Sequence, residues 1–580
     1  MKKIKYSIKK LCTAFAIALC LPMSFALISC NDFLEVLPTN ETILEHFWQI
    51  EKDVTNAVTA CYEQLEKKES TQRMVVWGEL RSDNMVFGSG NNNDIQQILK
   101  ENLLETNGFT KWVTFYDCIN RCNNVLYYAP KVNKIDPNFT DSELRATIAE
   151  ATILRSLCYF YLIRTFRDVP YVTKPSIDDN ISVTQPATKF EVVLDSLIES
   201  VEAVKEDAIR SYGETSVKNK IRVTLWTAYT LLADMYLWKG DYQKCIDNCD
   251  KVIKHFQDEY EYAYQKGTSK STLIELYNDV YPLISVAPAG YSSGGNAFNE
   301  IFGTEYQTSF ESIFELDCSG IGSYRDHGLN DLYGIEKSGE GLIAAASYLT
   351  TDLTSGSNNY FDKGDYRAYE NMAEASSKVR IHKYIDYSIS YRVSNPLTEA
   401  PKITRTISTS KMPNWIIYRF SDVLLMKAEA EVELAGNVTS SEDITEEQID
   451  HYKRAFACVS ATWKRANNKR TATKDTLIFN NYSGSRSTME DLIMSERQRE
   501  FMFEGKRWYD LVRMCRRDGS NSRMIEKVLP KFEQDVSKIR FKLASPDILY
   551  FPYNRDEIEV NTDLKQNPAY VTDDTYEKNL

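Results

Sequence analysis

Between Ala228 and Ile246 the chain reads Ala228-x3-Leu232-Ala233-x2-Tyr236-x3-Gly240-x-Tyr242-x2-Cys245-Ile246. Two antiparallel helices satisfy this spacing and a pair of strands does not. Residues 228, 232 and 236 fall on one helix face. Alanine at 228 and 233 lets a second helix approach closely. Gly240 supplies the left-handed residue that ends the first helix, and Tyr242 fills the gap at the start of the second. Cys245 stands at a small-residue position.

The spacing is of the tetratricopeptide type. A related first helix is expected at Ser421–Gly436, with Ala428, Ala430 and Gly436, and its partner at Glu446–Ala466. The two pairs lie far apart and are degenerate, so a strict array is not expected. Further helices are expected at Glu41–Lys68, Lys111–Tyr128, Asp141–Phe166, Phe190–Asp207, Val223–Trp238, Tyr242–Phe256, Met489–Phe503 and Trp508–Arg516. Residues 69–108 are rich in glycine and asparagine and read as loop. Residues 257–412 lose helical periodicity and hold short β-rich pieces at Ser312–Leu316 and Tyr387–Val393. Loops of that length in a compact protein are usually functional. The tail from Leu549 to Tyr553 reads as extended. The fold class is mostly α: tetratricopeptide-like helix pairs form a scaffold, with a loop-rich face and a few short strands.

The N-terminus belongs to no fold. Met1 to Lys10 carry five lysines and no acid, Leu11 to Ile28 are almost wholly apolar, and Leu27-Ile28-Ser29-Cys30 closes the run. A basic segment, an apolar segment and small residues before a cut site describe an export signal. Cysteine at the cut makes it a bacterial lipoprotein signal, so residues 1–29 are expected to be removed and Cys30 to be acylated. Two or more acyl chains anchor a protein stably where one does not. Residues 30–40 then form a tether, 41–256 an N-terminal helical region, 257–412 a loop-rich insert and 413–580 a C-terminal region packed on the first as one globule.

Removal of the signal takes the formal net charge from −13 to −18. An acidic chain is a poor nucleic-acid binder, because phosphate recognition rests on lysine and arginine. No apolar run after Cys30 approaches the ~20 residues a membrane helix needs. Nine cysteines follow Cys30. Their spacing makes no disulfide framework. The i, i+4 pairs Cys118/Cys122 and Cys245/Cys249 read as small apolar residues on packed helix faces.

No HExxH, G-x-S-x-G elbow or phosphate-binding glycine loop is present, and no cofactor is implied. A glycoside hydrolase needs only two carboxylates roughly 5–10 Å apart. The 82 acidic residues leave room for such a pair without singling one out. A surface glycan-degrading hydrolase and a helical-repeat assembly adaptor are therefore the alternative functions. The densest charged stretch, Glu496 to Arg513, alternates acids and bases at helical spacing. It reads as a structural ion-pair network with intrahelical partners, broken at Gly505 and packed at its corner by Trp508.

This stretch resembles the C-terminal signature of the SusD/RagB family of outer-membrane nutrient-binding lipoproteins. Four further segments are similar to that family in the same order: Cys30 to Glu35 at the mature N-terminus, Glu150 to Pro170, Tyr418 to Ala430, and the tail from Phe551-Pro552 to Tyr570. Arg167 and Ala569 depart from the pattern, standing where glycine is usual.

The resemblance implies a binding protein without catalysis. Such a protein is anchored at the outer membrane, faces outward, and passes an oligosaccharide or peptide to a SusC-like TonB-dependent transporter. It implies that Trp77, Arg81, Asp83 and Asn84 lie in a loop region contributing to the ligand site. There an indole face would stack on a ring, and the polar groups would fork hydrogen bonds to the ligand. A cap packed on the helix bundle is the alternative role for Trp77 and Arg81. Tyr281, Tyr291 and Tyr324 in the insert are further ligand-binding candidates. Calcium at the oxygen-rich Asn91–Asp94 is weighed against a solvated turn.

Overall fold

The computed structural model describes residues 47–177, 184–266, 413–436, 444–467 and 477–571. Between 267 and 412 it describes the segments 274–277, 281–284, 297–303, 308–318, 328–334, 341–349, 360–361, 365–374, 378–392 and 402–407. The main helices are α1 (Glu51–Leu65), α2 (Lys68–Val75), α3 (Val113–Val132), α4 (Asp141–Phe166), α5 (Phe190–Val204), α6 (Leu225–Lys239), α7 (Tyr242–Gln265), α8 (Phe420–Ala435), α9 (Glu446–Ala466), α10 (Arg486–Phe501) and α11 (Arg507–Asp518). Shorter helices are named by their residues.

The helices pack in a continuous series: α1 on α3, α3 on α4, α4 on α5, α5 on α6, α6 on α7, α7 on α8 and α8 on α9, with α10 laid against α8 and α9. The tetratricopeptide-type pair is α6–α7. Gly240 ends α6 at φ +82°, and the Asp241 carboxylate accepts the Lys244 N–H to start α7. Ala228, Leu232, Ala233, Tyr236 and Cys245 are buried, as their spacing predicts. The related pair is α8–α9.

Local sequence starts these helices. Thr140 and Glu143 form a reciprocal capping box at α4, as do Thr445 and Gln448 at α9. Such a cap contributes about 1 kcal/mol by satisfying end N–H groups. The helix α4 is apolar and long enough to cross a membrane by composition, but 83% of that window is packed inside the protein. It is the central core helix.

Strands gather in the insert. A four-stranded sheet runs β1 (Met85–Phe87), β5 (Ile343–Ala345), β7 (Val379–Ile381), β6 (Met372–Glu374). Three antiparallel pairs complete the set: β2 (Ile274–Tyr277) with β3 (Tyr281–Ile284), β4 (Ser312–Leu316) with β10 (Trp415–Arg419), and β8 (Asp386–Arg392) with β9 (Lys402–Ile407). The β1–β5 and β4–β10 pairings stitch the insert to the flanking regions.

Three expectations are corrected. Residues 69–108 are not simply loop: α2 runs into a π-helical turn at Val76–Leu80, and Asn93–Leu99 is helical. The glycine and asparagine content hid them, and long-range burial of Val76, Trp77 and Leu80 fixes the turn. The first helix, expected over Glu41–Lys68, runs only from Glu51 to Leu65 within the described residues, and Trp48–Ile50 lie outside it. The helix α7 runs past the anticipated boundary at 256 to Gln265.

Candidate functional site

The four N-terminal residues selected from the sequence lie together, but in the interior. Trp77 and Arg81 are fully buried, and Asp83 and Asn84 nearly so. The Trp77 indole N–H donates to the Phe109 carbonyl at 2.7 Å, and its rings meet Phe115 and Phe166 at 4.9 and 5.4 Å. Arg81 donates from Nε and Nη2 to Glu101 at 3.0 and 2.7 Å and lies 4.3 Å over Trp508. Asp83 accepts both arms of Arg507 at 2.8 Å. The Asn84 amide donates to Glu79 and accepts from Gln498, each at 2.8 Å. Their polar atoms are engaged by the scaffold, the arrangement of a cap packed on the helix bundle, which was the alternative role for Trp77 and Arg81. The signal was ambiguous because most of their partners lie 20 to more than 400 residues away. Tyr281 is also buried, its hydroxyl 3.2 Å from Cys458 Sγ. Tyr291 and Tyr324 lie outside the described residues.

The cap docks on the turn between α10 and α11, the centre of a buried charge network. Glu500 takes Arg419 at 2.6 Å, Arg367 at 3.0 Å and Arg465. Glu504 takes Lys383 at 2.6 Å and Arg419 at 2.8 Å. Glu496 takes Arg367 at 2.8 Å and the Thr462 hydroxyl at 2.8 Å. Arg367 also forks onto Asp365, and Arg465 reaches Glu311 at 2.7 Å. On α11, Asp510 accepts Arg497 and Arg513, and Arg513 reaches Glu429 at 2.6 Å. The expectation of a structural network holds. Its partners are mostly distant rather than intrahelical, and Glu311, Asp365, Arg367, Lys383, Arg419 and Arg465 were missed. The available hint was a lone arginine in an apolar run, as Arg419 is between Tyr418 and Phe420.

Burial opposes every charge here, and the counter-charges decide the sign. Glu500 pays the desolvation cost, yet Arg465, Arg419 and Arg367 hold its carboxyl well below the usual range. Glu504 is lowered against burial by Arg419 and Lys383. At Glu79 burial wins and pushes it up to about 7, although Asn84, the N–H groups of Phe503 and Gly505 and the Lys383 charge pull the other way. These groups serve packing. The cavity among Arg164, Asp234, Tyr418, Asp422, Lys506 and Arg513 holds about 30 Å³. Pockets for small ligands span roughly 300–1,000 Å³, so this space admits water and no sugar ring.

A surface groove on α9 has ligand dimensions. It holds about 390 Å³ on α9 and the segment after it, lined by Phe456, Ala457, Ser460, Trp463, Leu477 and Phe479, with Lys453 and Lys464 also on it. Phe456 and Phe479 meet edge to face at 5.5 Å, and Tyr482 lies 6.3 Å from Phe456. The β2–β3 hairpin of the insert packs on the same helix. Within Asn91–Asp94, side chains have protein partners: Asn92 caps the Asn93–Leu99 helix and Asp94 accepts the Gly108 N–H at 2.9 Å. The segment is a helix start at the surface, with Asn91 and Asn93 exposed. The nine cysteines after Cys30 are all buried and unpaired by disulfides.

Comparison with known proteins agrees with this architecture. The model described as "SusD family" matches residues 232–570, and one described as "Starch-binding associating with outer membrane" matches residues 32–237. A SusD-like protein of Formosa agariphila is 26% identical over 512 residues, covering 84% of this chain and 88% of its own. A SusD superfamily structure from Bacteroides vulgatus superposes with a TM-score of 0.61 at 17% identity, over 90% of this chain and 100% of its own. A structure titled "Laminarin binding SusD-like protein" gives 0.57 at 19% identity, over 90% and 100%. With more than half its length under one family model and the signature turn at its structural centre, the chain belongs to the SusD/RagB family, a family of non-catalytic binding proteins associated with the outer membrane.

Proposed function

We propose that this chain is a surface lipoprotein, anchored through acylated Cys30, that captures a glycan and hands it unchanged to a SusC-like TonB-dependent transporter. The observation that carries the reading is family membership across residues 32–570. A laminarin-binding relative of the same fold favours carbohydrate over peptide as the ligand class. The α9 groove supports it physically: Phe456 and Phe479 offer partly exposed ring faces, which stack on sugar rings, with polar groups nearby to fix orientation. Tyr291 and Tyr324 are retained as ligand-facing residues of the insert.

The test is affinity electrophoresis of the mature protein through gels cast with soluble polysaccharides, beside a peptide-library pull-down. Retardation by at least one glycan, weakened by Phe456→Ala or Phe479→Ala and by Tyr291→Ala or Tyr324→Ala, is the expected result. Retention of peptides alone, or migration unchanged across the glycan panel, overturns it. Release of reducing ends by the pure protein would establish the hydrolase reading instead.

A further inference from the structure

We infer that the end of the globule built from the start of α1 and the end of α3 rests on the lipid surface that holds Cys30. The inference depends on the lipid-anchor reading above and adds the orientation of the body. Trp48 stacks flat on Tyr128 at 4.9 Å and 11°. Phe47 and Tyr127 meet this pair edge-on at 5.2 and 4.9 Å, and Lys131 Nζ sits 3.5 Å over Tyr127. Around the cluster Ile50, Tyr127 and Ile135 are 50%, 43% and 57% exposed.

The charges are sorted. Asp53 turns back to accept the N–H groups of Gln49 and Ile50 at 3.1 and 3.0 Å, and Asp136 accepts those of Glu51 and Asn138 at 2.7 and 2.9 Å. Lysines 52, 131 and 134 stay exposed. Aromatic rings with a polar tip, aliphatic side chains and outward lysines are the composition found at the headgroup level of a bilayer. Sixteen residues lie between Cys30 and Phe47, a reach of at most about 60 Å. The start of α1 is thus within chain reach of the membrane that holds Cys30.

The buried native thiols make the test direct, since an introduced surface cysteine is the one that labels. The acylated mature protein carrying Tyr127→Cys or Ile135→Cys is labelled with a polarity-sensitive dye and bound to phosphatidylethanolamine–phosphatidylglycerol vesicles. Tyr264→Cys, at the exposed end of α7, is the comparison. The expected result is a blue shift and quenching by headgroup-borne quenchers at 127 and 135, and neither at 264. Vesicle-bound protein whose three dyes stay equally wet overturns the orientation and leaves the anchor standing. Protection at 127 that needs a co-reconstituted transporter overturns it in favour of a protein contact. A mature chain without acyl mass at Cys30 that ignores vesicles overturns the anchor and this inference together.

Discussion

Glu79 and Gly505 join two segments more than 400 residues apart: the Glu79 carboxylate accepts the Gly505 N–H at 2.6 Å, and its other oxygen takes the Phe503 N–H at the same distance. Phe503 and Gly505 both have positive φ, +68° and +70°. The turn therefore points the N–H groups of Phe503 and Gly505 toward one carboxylate, while the Glu504 N–H between them goes to the Phe501 carbonyl.

The approach leaves no room for a side chain at Gly78. A Cβ there would stand 1.8 Å from the Gly505 carbonyl oxygen, which is backbone and has nowhere to retreat. Gly78→Ala is expected to cost about 3 kcal/mol or more by forcing the two backbones apart, read as a lowered urea midpoint. An unchanged midpoint would mean that the turn moves freely.

Glu79 also sets a pH dependence. Its folded pKa of about 7 lies above its ordinary value of 4.5, so the folded state binds the proton more tightly. Its contribution is greatest below about pH 4.5 and declines as pH rises to about 7, by up to about 3 kcal/mol. Glu500 and Glu504 act in the opposite sense: depressed in the folded state, they stabilise above the ordinary carboxylate range and that stability is lost in acid. Glu79→Gln lacks the first limb. Its deficit relative to wild type, from urea titrations at pH 5 to 8, is expected to narrow as pH rises, while the acid limb stays.

Arg419 bridges two acids of the network, its three nitrogens shared between Glu500 and Glu504. Arg419→Met leaves both acids short of a partner in a dry interior, an expected loss of about 3–5 kcal/mol. Arg419→Lys keeps the charge but not the fork, and is expected to fall well short of wild type. A double variant that also neutralises Glu504 is expected to lose less than the sum of the two single changes.

Trp77→Ala separates scaffold from ligand site. With its ring among Phe115 and Phe166 and its N–H satisfied, the truncation is expected to cost about 3–5 kcal/mol. Glycan affinity per folded molecule is expected to be unchanged at a temperature where the variant is still folded. A tenfold weaker affinity with an unaltered melting curve would restore Trp77 to the ligand site.

Helix positions were legible because apolar spacing and glycine stops are local signals: Gly240 acts where the spacing puts it, and Thr140 and Thr445 cap helices whose starts the spacing places at Asp141 and Glu446. The interior role of residues 77–84 was not, since Arg81, Asp83 and Asn84 look solvated until Glu101, Arg507 and Gln498 are brought to them. The α9 groove was equally hidden. Phe456 reads as an ordinary helix residue, and only the return of the chain at Phe479 makes a wall opposite it.

Arg167 tests how a departure from the family pattern is tolerated. It ends α4 at φ +69°, a conformation that favours glycine, the residue usual at this place in the family. With ψ at −82° the corner lies outside the left-handed helical region, and a non-glycine residue held there costs about 1–3 kcal/mol. Against this, Arg167 pairs with Asp547 and lies 5.6 Å from the Tyr550 ring centre. The site is about one third exposed, so the pair contributes at most about 1 kcal/mol. The two effects partly cancel for Arg167→Gly, whose melting temperature is expected within a few degrees of wild type. Arg167→Ala keeps the strained backbone and loses the pair, and is expected to be the less stable of the two. A larger loss for glycine than for alanine would mean that unfolded-chain entropy, not the positive φ, governs this corner.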